Sequence, residues 1–171
     1  MEFYEVIKTR RSIRSYKKTP VPEDVLMRVM EATRIAPSGH NRQFWKFYVV
    51  EAADKKQKVA EGCAGRAWIG EAPIIVVAVG QKYQYNRGGY MGEMSFTMDV
   101  SIAFTHLILA ARAEGLGTCW IGDFSNEKVK EALGLSEEEY VVALTPLGYP
   151  DKGVFSENMT RKSLDEVMER V

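Results

Sequence analysis

Residues 73–79 read Pro-Ile-Ile-Val-Val-Ala-Val, an unbroken apolar run of strand length. A strand with one wet face alternates apolar and polar side chains, so a run without alternation predicts a central strand buried on both faces. Residues 95–114 set the second constraint. Met98, Ile102, Thr105 and Leu109, with Val100, Phe104, Leu107 and Ala111, make this the longest expected helix and leave it apolar nearly all round. Such a helix is usually covered on every side. A chain of 171 residues has little else to cover it with, which points to a subunit interface.

The remaining elements follow from local signals. Phe3, Val6 and Ile7 share a helical face, predicting a short helix over 2–8. Pro22, Glu23 and Asp24 open a second helix striped by Val25, Leu26, Val29, Met30 and Thr33, and Pro37-Ser-Gly ends it. Residues 45–50 are aromatic and β-branched, the signature of a strand. An exposed helix is expected over 54–62, a glycine- and tyrosine-rich mobile loop over 81–94, and a turn–strand–turn over 115–122. Residues 126–133 read as a helix stopped by Gly134, with Leu135 placed for the apolar contact that follows such a stop. A last strand covers 141–147, and Ser163-Leu-Asp-Glu is a capping box for a short C-terminal helix. Helices and strands interleave without a regular βα repeat, so the expected class is α+β, with residues 1–171 as one domain.

Charge excludes some functions. Lys and Arg number 23, Asp and Glu 23, and this balance argues against a dedicated nucleic-acid binder. Two cysteines, Cys63 and Cys119, and two histidines, His40 and His106, are too few for a disulfide framework or a typical transition-metal site, so no metal is expected. The first eight residues hold no signal-peptide core, and the uncharged run 100–111 is shorter than the ~20 residues a bilayer needs. A reducing cytoplasm without membrane attachment is the expected setting.

Four segments could carry chemistry. Arg10, Arg11, Ser12 and Arg14 lie within five positions, and several guanidinium forks with a hydroxyl are what a phosphate dianion wants; a solvated basic turn is the alternative. Pro37-Ser-Gly-His-Asn-Arg-Gln-Phe-Trp at 37–45 offers hydroxyl and amide groups to a heterocycle edge, or is an ordinary polar loop. Gly-Leu-Gly-Thr-Cys-Trp-Ile-Gly at 115–122 has the wrong spacing and the wrong helix-to-strand context for a dinucleotide fingerprint, yet its glycines permit close approach to a planar ligand. Cys119 reads as a small buried hydrophobe. Arg161 gains meaning only if the tail folds back to the first cluster.

In this order and spacing, Arg-Arg-Ser-Ile-Arg at 10–14, the 37–45 and 115–122 segments, Gly-Tyr-Pro at 148–150 and Arg161 resemble the FMN-dependent nitroreductase family over about residues 3–167. The resemblance implies a central mixed, mainly antiparallel sheet flanked by helices, and an intimate homodimer with FMN at the subunit interface. By matching position Arg10, Ser12 and Arg161, with Arg11 beside them, look like ligands of the phosphate and ribityl chain. Arg14 looks placed at the pyrimidine end, as electrostatic support. Pro37, Ser38 and Asn41 resemble positions donated by the second subunit, and Trp120, Ile121 and Gly122 the loop along the isoalloxazine. Phe44 stands where many members have proline. The implied activity passes electrons from NADH or NADPH through FMN to nitroaromatic, quinone or related small acceptors by a ping-pong mechanism. The alternatives are reductive dehalogenation, flavin fragmentation, or a non-catalytic flavin-binding or storage protein.

Overall fold

A computed structural model describes residues 1–82, 92, 94–152, 155–157 and 160–171. Strands β1 (Trp45–Val50), β2 (Ile74–Gln81), β3 (Gly117–Thr118) and β4 (Glu139–Gly148) pair in the order β1-β2-β4-β3. Every ladder among the described residues is antiparallel. The parallel element is a single bridge between Ser12 and Thr118. The helices are α1 (Phe3–Thr9), α2 (Glu23–Arg34), α3 (Ala53–Glu61), α4 (Ser95–Ala113) and α5 (Asn126–Leu133).

The two-sided strand organises the core. Successive β2 side chains point to opposite faces, and both faces are dry. Ile74, Val76 and Ala78 pack with Leu26 and Val29 of α2 and Val100, Phe104, Leu107 and Ala111 of α4. Ile75, Val77 and Val79 pack on the other side with Val59 and Ala60 of α3, Cys63, Ile69 and Val129 of α5. Helix α3 was expected to be exposed; its inner face buries Val59 and Ala60 fully, because it roofs this second face. Helix α5 ends as the sequence dictates, with Gly134 left-handed at φ 66° and Leu135 packed beneath.

Helix α4 is covered on one side only. Phe104 and Leu107, expected at an interface, are fully buried in this chain's own core. Met98, Ile102, Thr105 and Leu109 lie on the less covered side, with Ile102 40% exposed. By length and composition alone the helix could cross a membrane, but half of that span is buried inside the fold.

The C-terminal expectation shrinks. The Ser163–Glu166 capping box forms, yet only one 3-10 turn, Leu164–Glu166, follows it. Leu164, Val167 and Met168 are exposed, so no packed face supports a longer helix. Of the loop expected over 81–94, only residues 81, 82, 92 and 94 lie within the described residues.

Candidate active site

The basic segment is an edge strand in all but length. Beyond α1 the chain runs beside β3, where the Ile13 N–H donates to the Thr118 carbonyl at 2.9 Å. Alternation buries Ile13 and leaves Ser12 and Arg14 on either side of it exposed, while Tyr16 is buried where the chain has moved on to bridge Pro150. The buried Tyr16 hydroxyl donates to the Ile13 carbonyl at 2.6 Å, and burial pushes its pKa far above the ordinary phenol value. Gly117 makes the close pairing possible. A Cβ there would sit 2.8 Å from the Ile13 Cβ.

Three arginines converge on this edge. Burial first, then the neighbouring charges of Arg11 and Arg161, hold the Arg10 guanidinium below its usual range. Arg161 therefore lies within electrostatic reach of Arg10, and the tail has folded back. Arg11 divides its donors. Its Nη1 donates to the Lys8 carbonyl at 2.9 Å and to the Arg10 carbonyl, closing the exposed end of α1, while its Nε and Nη2 are buried without a partner among the described residues. No ion pair among the described residues involves Arg10, Arg11, Arg14 or Arg161.

Two residues that sequence reasoning missed bring the tail back. Arg112, near the C-terminal end of α4, is 7% exposed, and its Nε donates to the Thr9 hydroxyl at 3.1 Å. Its guanidinium lies 3.9 Å over the ring of Phe155, which also packs on the Ile13–Tyr16 cluster. Burial lowers the Arg112 pKa. A lone cation in an apolar helix was the available signal.

The 37–43 loop is strained and braced. His40, Asn41 and Gln43 all have positive φ, at 53°, 56° and 54°, each an unfavourable conformation for a residue with a side chain. Ser38 Oγ accepts from the Gln43 N–H at 3.0 Å, and the Asn41 side-chain and backbone oxygens accept from Gln43 Nε2 at 2.9 and 3.0 Å. The Gly39 N–H donates to the buried carboxylate of Asp99 on α4 at 3.1 Å. Pro37 and Asn41 are exposed and Ser38 half-buried.

In the third segment Trp120 is 40% exposed and stands edge-on to Phe104 of α4, centroids 4.7 Å apart. Ile121 is buried and exchanges two backbone hydrogen bonds with Leu144, at 2.9 and 3.1 Å. Gly122 beyond it is exposed. Cys119 is buried, with its N–H donating to Thr145 Oγ1 at 2.9 Å.

Helix α4 thus acts as a ruler. Arg112 holds the arginine end, Phe104 seats Trp120, and Asp99 holds the 37–43 loop. Asp99 and Arg112 are about 20 Å apart along the axis at ~1.5 Å per residue. One chain brings Arg10, Arg11 and Arg161 together and keeps Ser38 and Asn41 away from them. A cleft of about 430 Å³ between α3 and α5, lined by Lys58, Glu61, Lys128 and Glu131, touches none of these segments.

Comparison with known proteins decides the family. Residues 7–69 and 61–149 match the model of the Nitroreductase family. The chain belongs to the nitroreductase family. Among its nitroreductase-family relatives it is 32% identical to an NADH dehydrogenase of Thermus thermophilus, over 82% of this chain and 83% of that one. It is 30% identical to iodotyrosine deiodinase 1 of Rattus norvegicus, over 98% of this chain and 68% of that protein. A nitroreductase from Exiguobacterium sibiricum, crystallised in complex with FMN, shares the fold at TM-score 0.88 and 21% identity, over 100% of this chain and 98% of that one. As a nitroreductase-family member the chain is an oxidoreductase, and its α+β architecture is the nitroreductase fold.

Proposed function

We propose that residues 1–171 form one FMN-binding domain of a cytoplasmic oxidoreductase that takes electrons from NADH or NADPH and gives them to small aromatic acceptors. The observation that carries the reading is that Arg10, Arg11 and Arg161 lie within electrostatic reach of one another with no ion pair to a carboxylate among the described residues. Three guanidinium groups repel one another, and buried donors without partners are unfavourable, so this edge is built for an anion. The buried, unpartnered Nε and Nη2 of Arg11 fit a phosphate monoester, with the outward Ser12 hydroxyl beside them.

FMN, when bound, supplies the redox chemistry. The residues of this chain bind and orient. Arg10, Arg11, Ser12 and Arg161 would hold the phosphate end. Arg14, exposed on the same edge, presents a cation suited to negative charge developing at the pyrimidine end. Trp120, Ile121 and Gly122 would flank the ring, with Ile121 fixed by its Leu144 pairing.

Pro37, Ser38 and Asn41 would serve the site of a second copy, since the length of α4 separates them from the arginines of their own chain. A homodimer with two shared sites would also cover Met98, Ile102 and Leu109 on α4 and the exposed Leu164, Val167 and Met168 of the tail. An obligate interface of this kind runs above about 2,000 Å² in total.

The test is direct. The purified protein should show flavin absorbance, bleach with NADH or NADPH without oxygen, and recover its colour with a nitroaromatic or quinone. Initial rates should give parallel double-reciprocal lines, and a dead-end aromatic acid should compete with both substrates. A colourless protein that takes up no FMN would overturn the reading. Intersecting lines would overturn the single-pocket mechanism alone. A second reading, reductive dehalogenation, is favoured by the similarity to iodotyrosine deiodinase 1 along nearly the whole chain. Halide release from a halogenated phenol under reducing conditions distinguishes it.

A further inference from the structure

We propose that Arg66 is a positioning residue for Asp123 and, through it, for the Gly122 backbone between Asp123 and Ile121, which follows Trp120 at the face assigned above to the flavin ring; the proposal rests on that FMN reading. Arg66 reaches Asp123 across 57 positions of sequence. Its Nη1 donates to the Asp123 carbonyl at 3.1 Å and to the Cys63 carbonyl at 3.3 Å, and its Nη2 donates to the Asp123 carboxylate at 2.7 Å. The planar fork serves both sides of the gap at once, which the single ammonium of a lysine cannot reproduce.

The base of this clamp is firm. Cys63 is fully buried, and Gly62 passes so close to α5 that a Cβ would lie 3.1 Å from Val129 Cγ2. The Ser125 N–H donates to the Gly62 carbonyl at 2.8 Å, tying the same two segments a second time. On the upstream side Ile121 is fixed to β4 through its two bonds with Leu144. Gly122 is therefore the one residue between two anchors, and glycine has the widest backbone freedom of any residue. The N–H groups of Gly122 and Asp123 meet no acceptor among the described residues, so both remain available to a ligand.

The carbonyl bond, rather than the ion pair, carries the effect. The Arg66 and Asp123 side chains are 36% and 72% exposed, and an exposed pair adds little by itself. Holding the Asp123 carbonyl fixes the Asp123–Phe124 peptide plane, and with Ile121 held upstream this limits the backbone angles of Gly122 and Asp123 and hence the direction of their N–H groups. An error of about 1 Å in such an element lowers a rate by up to about 100-fold.

The experiment compares wild type with Arg66→Met and Arg66→Lys by three measurements. These are hydrogen exchange of the apo-protein, FMN titration, and the first-order rate of flavin bleaching by excess NADH or NADPH per bound FMN. In Arg66→Met, exchange at Ser125, whose N–H is bonded to the Gly62 carbonyl, should rise about tenfold while Ile121 stays protected, with Arg66→Lys in between. FMN affinity should stay within about threefold while bleaching slows about tenfold or more. Unchanged exchange at Ser125 overturns the proposal, and so does slowing that is matched by an equal loss of FMN affinity. If Arg66→Met does not fold, Arg66→Lys decides by the same criteria. If wild type takes up no FMN, the flavin reading fails, and exchange alone decides whether Arg66 holds Asp123.

Discussion

The guanidinium of Arg112 lies 3.9 Å over the ring of Phe155, so the long central helix and the C-terminal tail are joined at the point where the tail turns back toward Arg10. A stack of this kind is worth about 0.5–2 kcal/mol, more when desolvated, and Arg112 is 7% exposed. Phe155→Ala should loosen the tail and move Arg161 away from the arginine cluster. The expected outcome is FMN affinity weakened by about 3- to 10-fold at ~1.4 kcal/mol per decade, with faster proteolysis after residue 150.

Arg10 is half-buried, and it is held below its usual pKa range by burial and by its two arginine neighbours. An anion relieves that repulsion. Each charge-assisted hydrogen bond contributes about 1.5–3 kcal/mol, so Arg10→Ala should weaken FMN binding by roughly 10- to 100-fold. Fluorescence titration checks this, and a folded variant with wild-type affinity would remove Arg10 from the site.

Gly117 and Ile13 fix how closely the basic segment lies against β3. A methyl group at 117 would meet the Ile13 Cβ at 2.8 Å, and both atoms are attached directly to backbone. Gly117→Ala should destabilise the fold by about 1–3 kcal/mol through overpacking. Urea unfolding should show a lower midpoint at an unchanged slope, together with weaker FMN binding.

Ile102 is 40% exposed on the less covered side of α4. If that face meets a second copy, Ile102→Glu places a charge in an apolar interface. Sedimentation should then show a monomer at micromolar concentration where the wild type is a dimer. FMN should be lost in parallel, because Ser38 and Asn41 would no longer reach a partner's arginines.

Burial pushes the Cys63 thiol up to about 11. A folded pKa above the unfolded one means that the native state holds the proton more tightly. The associated stability is complete below pH 9 and is lost as pH rises through 11. The buried Tyr16 hydroxyl, also raised, acts with the same sign. The urea midpoint should fall across this window, and less steeply in Cys63→Ala. Iodoacetamide at pH 8.5 should leave Cys63 unmodified in the native protein and modify it in urea.

What the sequence determined by itself was whatever one or two turns of chain can encode. The unalternating run at 73–79 became the strand buried on both faces, the apolar stretch at 95–114 became α4, and Gly134 with Leu135 closed α5. The arginine cluster was legible for the same reason, since Arg10 to Arg14 are neighbours in sequence. Tertiary structure alone decided which distant groups meet. It brought Arg161 within electrostatic reach of Arg10 and Phe155 under Arg112, and it kept the 37–43 loop at the far end of α4. It turned one arm of Arg11 back onto α1, and it left the capping box at Ser163 with a single turn to cap. Periodicity and capping act within a few residues, where the side chains themselves carry the pattern. Convergence across 100 or more residues depends on how the layers reverse and pack, and no local pattern records that packing.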